Sequence, residues 1–98
     1  MLMNVRITGE TVRVTGLRQL GGDDALILRA ELEEALETHC HRVEVDLSQT
    51  DGVDSSGLGV LVSAWMVCGR VRLLNTPPLI RQFLDLTRQR QKFELAQS

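Results

Sequence analysis

Residues 51–59 read Asp-Gly-Val-Asp-Ser-Ser-Gly-Leu-Gly and separate two apolar stretches of different character. Before them, Val43, Val45 and Leu47 alternate with polar residues, which is typical of a half-buried strand. After them, residues 58–68 carry no charge and are long enough for a buried helix. A strand that passes through a short glycine-containing loop into a helix indicates an open α/β sheet, which binds ligands at the carboxyl ends of its strands. We therefore expect the functional site to lie in this loop.

The remaining sequence continues the alternation of strands and helices. Two alternating runs around a short glycine-containing turn predict a β-hairpin at the start of the chain. The strand–helix–strand order that follows requires parallel pairing of the later strands. The result is an α/β domain over residues 1–98, with a mixed, mostly parallel sheet of four to five strands and about three packed helices. Strands are predicted at residues 3–7, 11–15, 42–47, 71–74 and 93–95, and helices at 23–36, 55–67 and 79–89.

Local signals set the ends of the predicted helices. Asp23 or Asp24 is expected to begin the first helix, as a side-chain acceptor and as a negative charge at its positive end. Either Ser55 or Ser56 is expected to cap the second helix, since serine oxygen accepts from the unpaired N–H groups there. Gly69 is expected to end it. Because the second helix lacks charge, it has to be covered almost all round or present an apolar strip to a partner.

Composition excludes several classes of protein. The net charge is −2 and both signs are interspersed, which argues against a nucleic-acid-binding surface. The uncharged run is shorter than the roughly 20 residues of a membrane span, so no membrane insertion is expected. Residues 1–6 lack the apolar stretch of a signal peptide. Cys40 and Cys68 lie in different predicted elements, which favours a cytoplasmic protein with reduced thiols.

Enzymatic chemistry finds little support in the residues. A nucleophile elbow requires Gly-x-Ser-x-Gly, and neither Ser55 nor Ser56 has glycine on both sides at that spacing. The only candidate bases, His39 and His41, precede the strand that feeds the loop and are expected at the opposite edge of the sheet. A serine hydrolase is therefore the least favoured function.

Metal and cofactor sites are likewise not expected. The run His39-Cys40-His41 offers too few well-spaced ligands, and no second cluster accompanies it. Asp46, Asp51 and Asp54 surround the loop and could hold a hard cation, but solvated carboxylates are the simpler interpretation. The Gly57-x-Gly59 pair lacks the third glycine of a dinucleotide fingerprint.

The sequence Val45-Asp46-Leu47-Ser48, followed at 53–61 by Val-Asp-Ser-Ser-Gly-Leu-Gly-Val-Leu, resembles a STAS domain. More narrowly, it is similar to bacterial anti-sigma factor antagonists. The likeness continues through residues 71–78 and through Leu-Asp-Leu-Thr at 84–87, and covers most of the chain from 42 to 95.

The resemblance implies a partner-switching regulator of transcription rather than an enzyme. In that family, the serine after the aspartate is phosphorylated by an anti-sigma factor that is also a serine kinase; here this is Ser55. The unphosphorylated protein binds the kinase and frees a sigma factor, and phosphorylation ends the binding. ATP belongs to the kinase, a phosphatase is a further candidate partner, and we expect a cytoplasmic monomer or weak dimer. The expected partner contacts are Asp54, Ser56, Gly57, Leu58, Gly59 and Val62, with Leu58, Val62 and Met66 on one side of the helix as the apolar part.

Two features depart from the family pattern. The family usually has a Gly-x-Leu-Asp segment after the second strand, whereas residues 16–20 read Gly-Leu-Arg-Gln-Leu without a following acid. The second helix also ends about one turn early.

The alternative function is a constitutive STAS scaffold subunit of a signalling or lipid-transport assembly, in which Ser55 is only structural.

Overall fold

The computed structural model of the protein describes residues 3–38 and 40–97. It contains the predicted mixture of strands and helices, with a short 3-10 turn at Arg90–Lys92 before the last strand. The strands are β1 (Asn4–Thr8), β2 (Thr11–Thr15), β3 (Arg42–Asp46), β4 (Val71–Leu74) and β5 (Glu94–Ala96). The helices are α1 (Gly22–Leu36), α2 (Ser55–Cys68) and α3 (Pro78–Leu86).

The five strands form one sheet in the order β1-β2-β3-β4-β5. β1 and β2 form the predicted antiparallel hairpin, and every later neighbour is parallel. Each helix connects two adjacent strands, and the chain always advances in the same direction across the sheet. Because such crossovers are right-handed, all three helices lie on the same face. The mixed, mostly parallel α/β fold expected from the sequence is confirmed.

The core lies between the sheet and the helices. Alternate residues of the central strands point toward the helices and are fully buried, among them Val12, Val14, Val43 and Val45. α1 and α2 pack against each other and contribute the apolar faces that cover these residues. This layered packing fixes the carboxyl ends of β2, β3 and β4 side by side at one edge.

The ends of two helices differ from the predictions. α1 begins at Gly22, and its N-cap Gly21 provides no side chain, so the expected capping by Asp23 or Asp24 is wrong. Both aspartates instead lie in the first turn. α3 ends at Leu86, three residues early, because the Thr87 hydroxyl donates to helix carbonyls and Arg88 adopts a left-handed φ of 59°. Gly69 ends α2 as predicted, with φ 74°.

Candidate functional site

The loop between β3 and α2, residues 47–54, lies at the carboxyl edge of the sheet beside the chain that leaves β2. We call it the switch loop. Its backbone pairs with residues 18–20 as a short extension of the sheet. The Leu20 N–H donates to the Gly52 carbonyl at 2.9 Å, and the Asp51 N–H donates to the Arg18 carbonyl at 3.0 Å. An isolated parallel bridge joins Leu20 to Val53. The switch loop is therefore held by backbone bonds to a distant part of the sequence.

Side chains strengthen this attachment. The buried Thr50 hydroxyl donates to the Leu17 carbonyl at 2.6 Å, and the Gln19 amide donates to the Asp51 carboxylate at 2.6 Å. Leu17 and Leu20 are themselves fully buried. The segment that departs from the family pattern thus supports the switch loop, a role that the sequence reasoning missed. The two leucines three residues apart, directly after a strand, were the available signal.

Asp54 connects the beginnings of two helices. Its Oδ1 accepts from the Gly57 N–H at 3.0 Å and from the Ser56 hydroxyl at 2.6 Å, and its Oδ2 accepts from the Gly22 N–H at 3.1 Å. One carboxylate therefore satisfies an unpaired N–H group of α2 and another of α1, where both helix dipoles favour negative charge. The hydroxyl of Ser56, followed by the N–H groups of Gly57 and Gly22, lowers the pKa of Asp54 below its ordinary 3.8.

The N-cap of α2 is Asp54, so the prediction that a serine caps this helix is wrong. Ser55 is the first helical residue and is exposed. Its hydroxyl forms no hydrogen bond to any residue that the structure describes. Ser56, by contrast, is tied to Asp54. The structure thus separates two serines that the capping rule alone leaves equivalent: the Ser56 hydroxyl is hydrogen-bonded and the Ser55 hydroxyl is exposed.

The other expected contact residues divide between the core and the surface. Gly57 is buried, and a Cβ there would overlap the backbone carbonyl of Leu20, so this glycine permits the close approach of α2 to the segment after β2. Leu58 is only 9% exposed and belongs to the core. Gly59 and Val62 are half-buried, and a Cβ on Gly59 would meet open space. Met66, one helical turn beyond Val62, is 74% exposed.

Asp46 stabilises the base of the switch loop rather than its mouth. Its Oδ1 accepts from the Ser48 N–H at 2.9 Å and from the Asn75 amide at 3.2 Å. Burial raises the pKa of Asp46, but the hydrogen bonds from Ser48 and Asn75 outweigh it and the net pKa is lowered. Within residues 3–38 and 40–97, no group of three or more acidic, histidine or cysteine side chains is arranged to hold a metal ion.

The histidine expectation can be checked for one of the two residues. His41 lies just before β3, with its N–H donating to the Glu10 carbonyl at 2.8 Å, and is thus at the amino edge of the sheet, opposite Ser55. His39 lies outside the described residues.

The two cysteines are free thiols, Cys40 buried and Cys68 half-buried. Among the described helices, none is long and apolar enough to cross a membrane.

Comparison with solved structures shows the same fold in anti-sigma factor antagonists. The antagonist SpoIIAA in its unphosphorylated form has a TM-score of 0.74 and 21% identity, covering 86% of this chain and 82% of that chain. The phosphorylated form of SpoIIAA, a Bacillus cell fate determinant, has a TM-score of 0.76 and 20% identity. The match covers 96% of this chain and 90% of that chain. A candidate anti-sigma factor antagonist from Thermotoga maritima has a TM-score of 0.87 and 18% identity, covering 99% and 87%.

Sequence comparison identifies the family directly. A comparison with curated proteins gives no significant match. The family model described as "Mlab, STAS domain" matches residues 3–93, which include every residue of the switch loop and all three helices. The protein therefore belongs to the STAS domain family, as the sequence motif at residues 53–61 predicted.

Proposed function

We propose that this protein is a non-enzymatic partner-switching regulator whose binding is controlled by phosphorylation of Ser55. The proposed partner is an anti-sigma factor with serine kinase activity, which binds the unphosphorylated protein and thereby frees a sigma factor. Membership of the STAS family and the fold shared with SpoIIAA, known in unphosphorylated and phosphorylated forms, support this function. The observation that carries it is the exposed Ser55 hydroxyl, which forms no hydrogen bond to the described residues because Asp54 performs the capping.

Phosphorylation at this position would act through charge. A phosphate adds about −1.5 to −2 charge at neutral pH. The neighbouring Asp54 already occupies the positive ends of both helices, so the phosphate would face a carboxylate. No ion pair among the described residues supplies a cation to the switch loop. Burying such a group in an interface costs on the order of several kcal/mol, and about 1.4 kcal/mol is a tenfold loss of affinity. The charge alone is enough to end binding without refolding the domain.

The proposed partner surface is the solvent face of α2. Ser55, Gly59, Val62 and Met66 recur at helical spacing along it, which is the arrangement of one continuous stripe. No neighbour among the described residues would exclude a methyl group at Gly59. Glycine in a helix destabilises it by roughly 1 kcal/mol relative to alanine. Packing within the described residues therefore does not require a glycine at position 59. Close approach of a partner backbone would account for it. Leu58, which is buried, supports this face from below.

The first test is affinity purification from the native cell, with the intact mass of the bait recorded. Wild type, Ser55→Ala and Ser55→Asp are compared, and Asn4→Asp, which adds the same charge on the edge strand β1, is the matched control. We expect Ser55→Asp alone to lose a kinase-like partner, and part of the wild type to carry a phosphate-sized mass increment. Identical partners for all four proteins, with no modified fraction, would instead support the constitutive scaffold.

The Gly59→Ala variant tests the partner surface separately. The added methyl group points into open space, so the fold should be retained or slightly stabilised. We expect weaker capture of the same partner, because the methyl group occupies the space that a partner backbone would use. Undiminished capture by this variant would remove the solvent face of α2 from the proposed interface while leaving the Ser55 switch to its own test.

A further inference from the structure

The face of the sheet opposite α1, α2 and α3 is covered with charged side chains. Arg13, Glu44, Arg72 and Glu94 are direct neighbours across β2, β3, β4 and β5. They form partly exposed ion pairs of 3.7 Å between Arg13 and Glu44, 3.9 Å between Arg72 and Glu44, and 3.5 Å between Arg72 and Glu94. Parallel sheets are generally covered on both faces. Here the uncovered face is polar and stands open to solvent or to a partner.

At the amino ends of the central strands, this face forms a shallow hollow of about 280 Å³. Arg42, Arg70 and Arg72 line it together with Glu44 and Glu94. The Val43 N–H donates to the Arg70 carbonyl at 2.9 Å, so the positions of Arg42 and Arg70 are adjacent across the two strands. Both are exposed, and neither forms an ion pair with another described residue. We call Arg42, Arg70 and Arg72 the arginine hollow.

The charge of the arginine hollow is unusual for this chain. The protein as a whole has a net charge of −2. In the hollow, arginines outnumber glutamates, and two of the three guanidinium groups have no ionic partner among residues 3–38 and 40–97. Like charges opposite each other on neighbouring strands destabilise a sheet, so strand pairing by itself does not favour placing Arg42 beside Arg70. Arginine is the side chain best suited to bidentate recognition of carboxylates.

We propose that the arginine hollow is a second docking site, which binds an acidic segment of a partner protein. Arg42 and Arg70 lie nearer the amino ends of their strands than the row formed by Glu44, Arg72 and Glu94, so a short acidic segment can contact the two unpaired guanidinium groups. A continuous phosphate backbone that crosses the hollow would also pass Glu44 and Glu94, which repel it. The hollow lies at the amino edge of the sheet, whereas Ser55 lies beyond the carboxyl edge. The two sites can therefore be occupied together, and the second is independent of the phosphorylation state of the first.

The test uses an acetylated hexaglutamate peptide as the probe and follows backbone amide shifts of the whole domain by NMR. We expect shifts centred on residues 42–44 and 70–72. The Arg42→Gln/Arg70→Gln variant should bind on the order of tenfold more weakly, since two exposed charge contacts are removed. Arg29→Gln/Arg81→Gln changes the net charge equally on exposed positions of α1 and α3, and it should bind like the wild type. Ser55→Asp should also bind like the wild type.

Three results would overturn the proposal. The first is the absence of shifts at the hollow, and the second is an equal loss of binding in the Arg29→Gln/Arg81→Gln control, which would indicate non-specific charge attraction. The third is tighter binding of inorganic phosphate or of a short DNA duplex at the same amides, which would identify a phosphate site. Because Arg42 and Arg70 are exposed and make no side-chain bonds within the described chain, their replacement should leave the fold intact.

Discussion

Gly57 and Gly59 lie two residues apart in α2, yet the structure predicts opposite effects for the same substitution to alanine. Alanine is favoured over glycine in a helix by roughly 1 kcal/mol, and this gain is available at both positions. At Gly59 a Cβ meets open space, so Gly59→Ala should stabilise the fold by up to about 1 kcal/mol. At Gly57 a Cβ would overlap the Leu20 carbonyl oxygen, which is backbone and cannot rotate away.

The magnitude for Gly57→Ala follows from the displacement that this overlap requires. α2 and the segment after β2 have to separate, and overpacking of this kind typically costs about 1–3 kcal/mol or more. The separation also strains the bond from the Gly22 N–H to Asp54, because that carboxylate is held by both helices. Because the overlap is with backbone, the cost should lie in the upper part of this range, and after the helical gain is subtracted we expect a net loss of about 1–2 kcal/mol. The two variants should therefore differ by about 2–3 kcal/mol in unfolding free energy.

Urea denaturation followed by far-UV circular dichroism measures this difference directly. The urea midpoint should rise for Gly59→Ala and fall for Gly57→Ala. The slope of the unfolding free energy against urea concentration should stay the same. By thermal unfolding, each 1 kcal/mol corresponds to about 4–8 °C for a domain of this size. If Gly57→Ala unfolded at the same midpoint as Gly59→Ala, or at a higher one, the close approach between α2 and Leu20 would not be a constraint on the fold.

Three further substitutions test the anchoring of the site. Because its hydrogen bonds lower the pKa of Asp54 below 3.8, the stability that this carboxylate provides is present above that pH and is lost as the pH falls through the folded value. Asp54→Asn should therefore show a shallower decline of the urea midpoint on acidification than wild type, and parallel declines would contradict this. Thr50→Val leaves the buried Leu17 carbonyl without its donor and should lower the unfolding free energy by about 1–3 kcal/mol, measured in urea; an unchanged midpoint would refute it. Gly69→Ala places a side chain at φ 74° and should lower the unfolding free energy, measured in urea, by about 1–2 kcal/mol, in contrast to the gain at Gly59.

The strands were predictable because one face of the sheet is buried and the other is exposed to solvent. Val12 and Val14 alternate with Thr and Arg, and the same alternation recurs in Val43 and Val45, so the period of two was visible in the sequence. The position of Ser55 at the start of a helix followed from the glycines and the uncharged run. The end of α3 was predicted three residues late, because residues 87–89 contain no glycine or proline to mark a helix end, and only the backbone at Arg88 shows where the helix stops.

The hydrogen bonds that hold the site together could not be predicted from the sequence. Aspartate and serine are nearly equal as N-caps, so local preference gave no reason to place the cap at Asp54 rather than at the two serines that were predicted. What decides between them is the Gly22 N–H, which is 32 residues away and draws the carboxylate of Asp54 between two helices. The attachment of Gln19 to Asp51 spans the same separation. Such contacts depend on the tertiary arrangement of α1 and α2, which carries no local signature.

The pairing of the switch loop with residues 17–22 has a consequence for how Ser55 can be recognised. A linear peptide of residues 51–59 would lack the Arg18 carbonyl, the Leu20 backbone and the Gly22 N–H that shape the loop in the folded protein. Such a peptide would have to pay the full ordering entropy of the loop on binding, which weakens its affinity. An enzyme that modifies Ser55 in this geometry reads a surface assembled from two distant chain segments. Peptide libraries would therefore miss its specificity, and partly unfolded copies of the protein would escape modification.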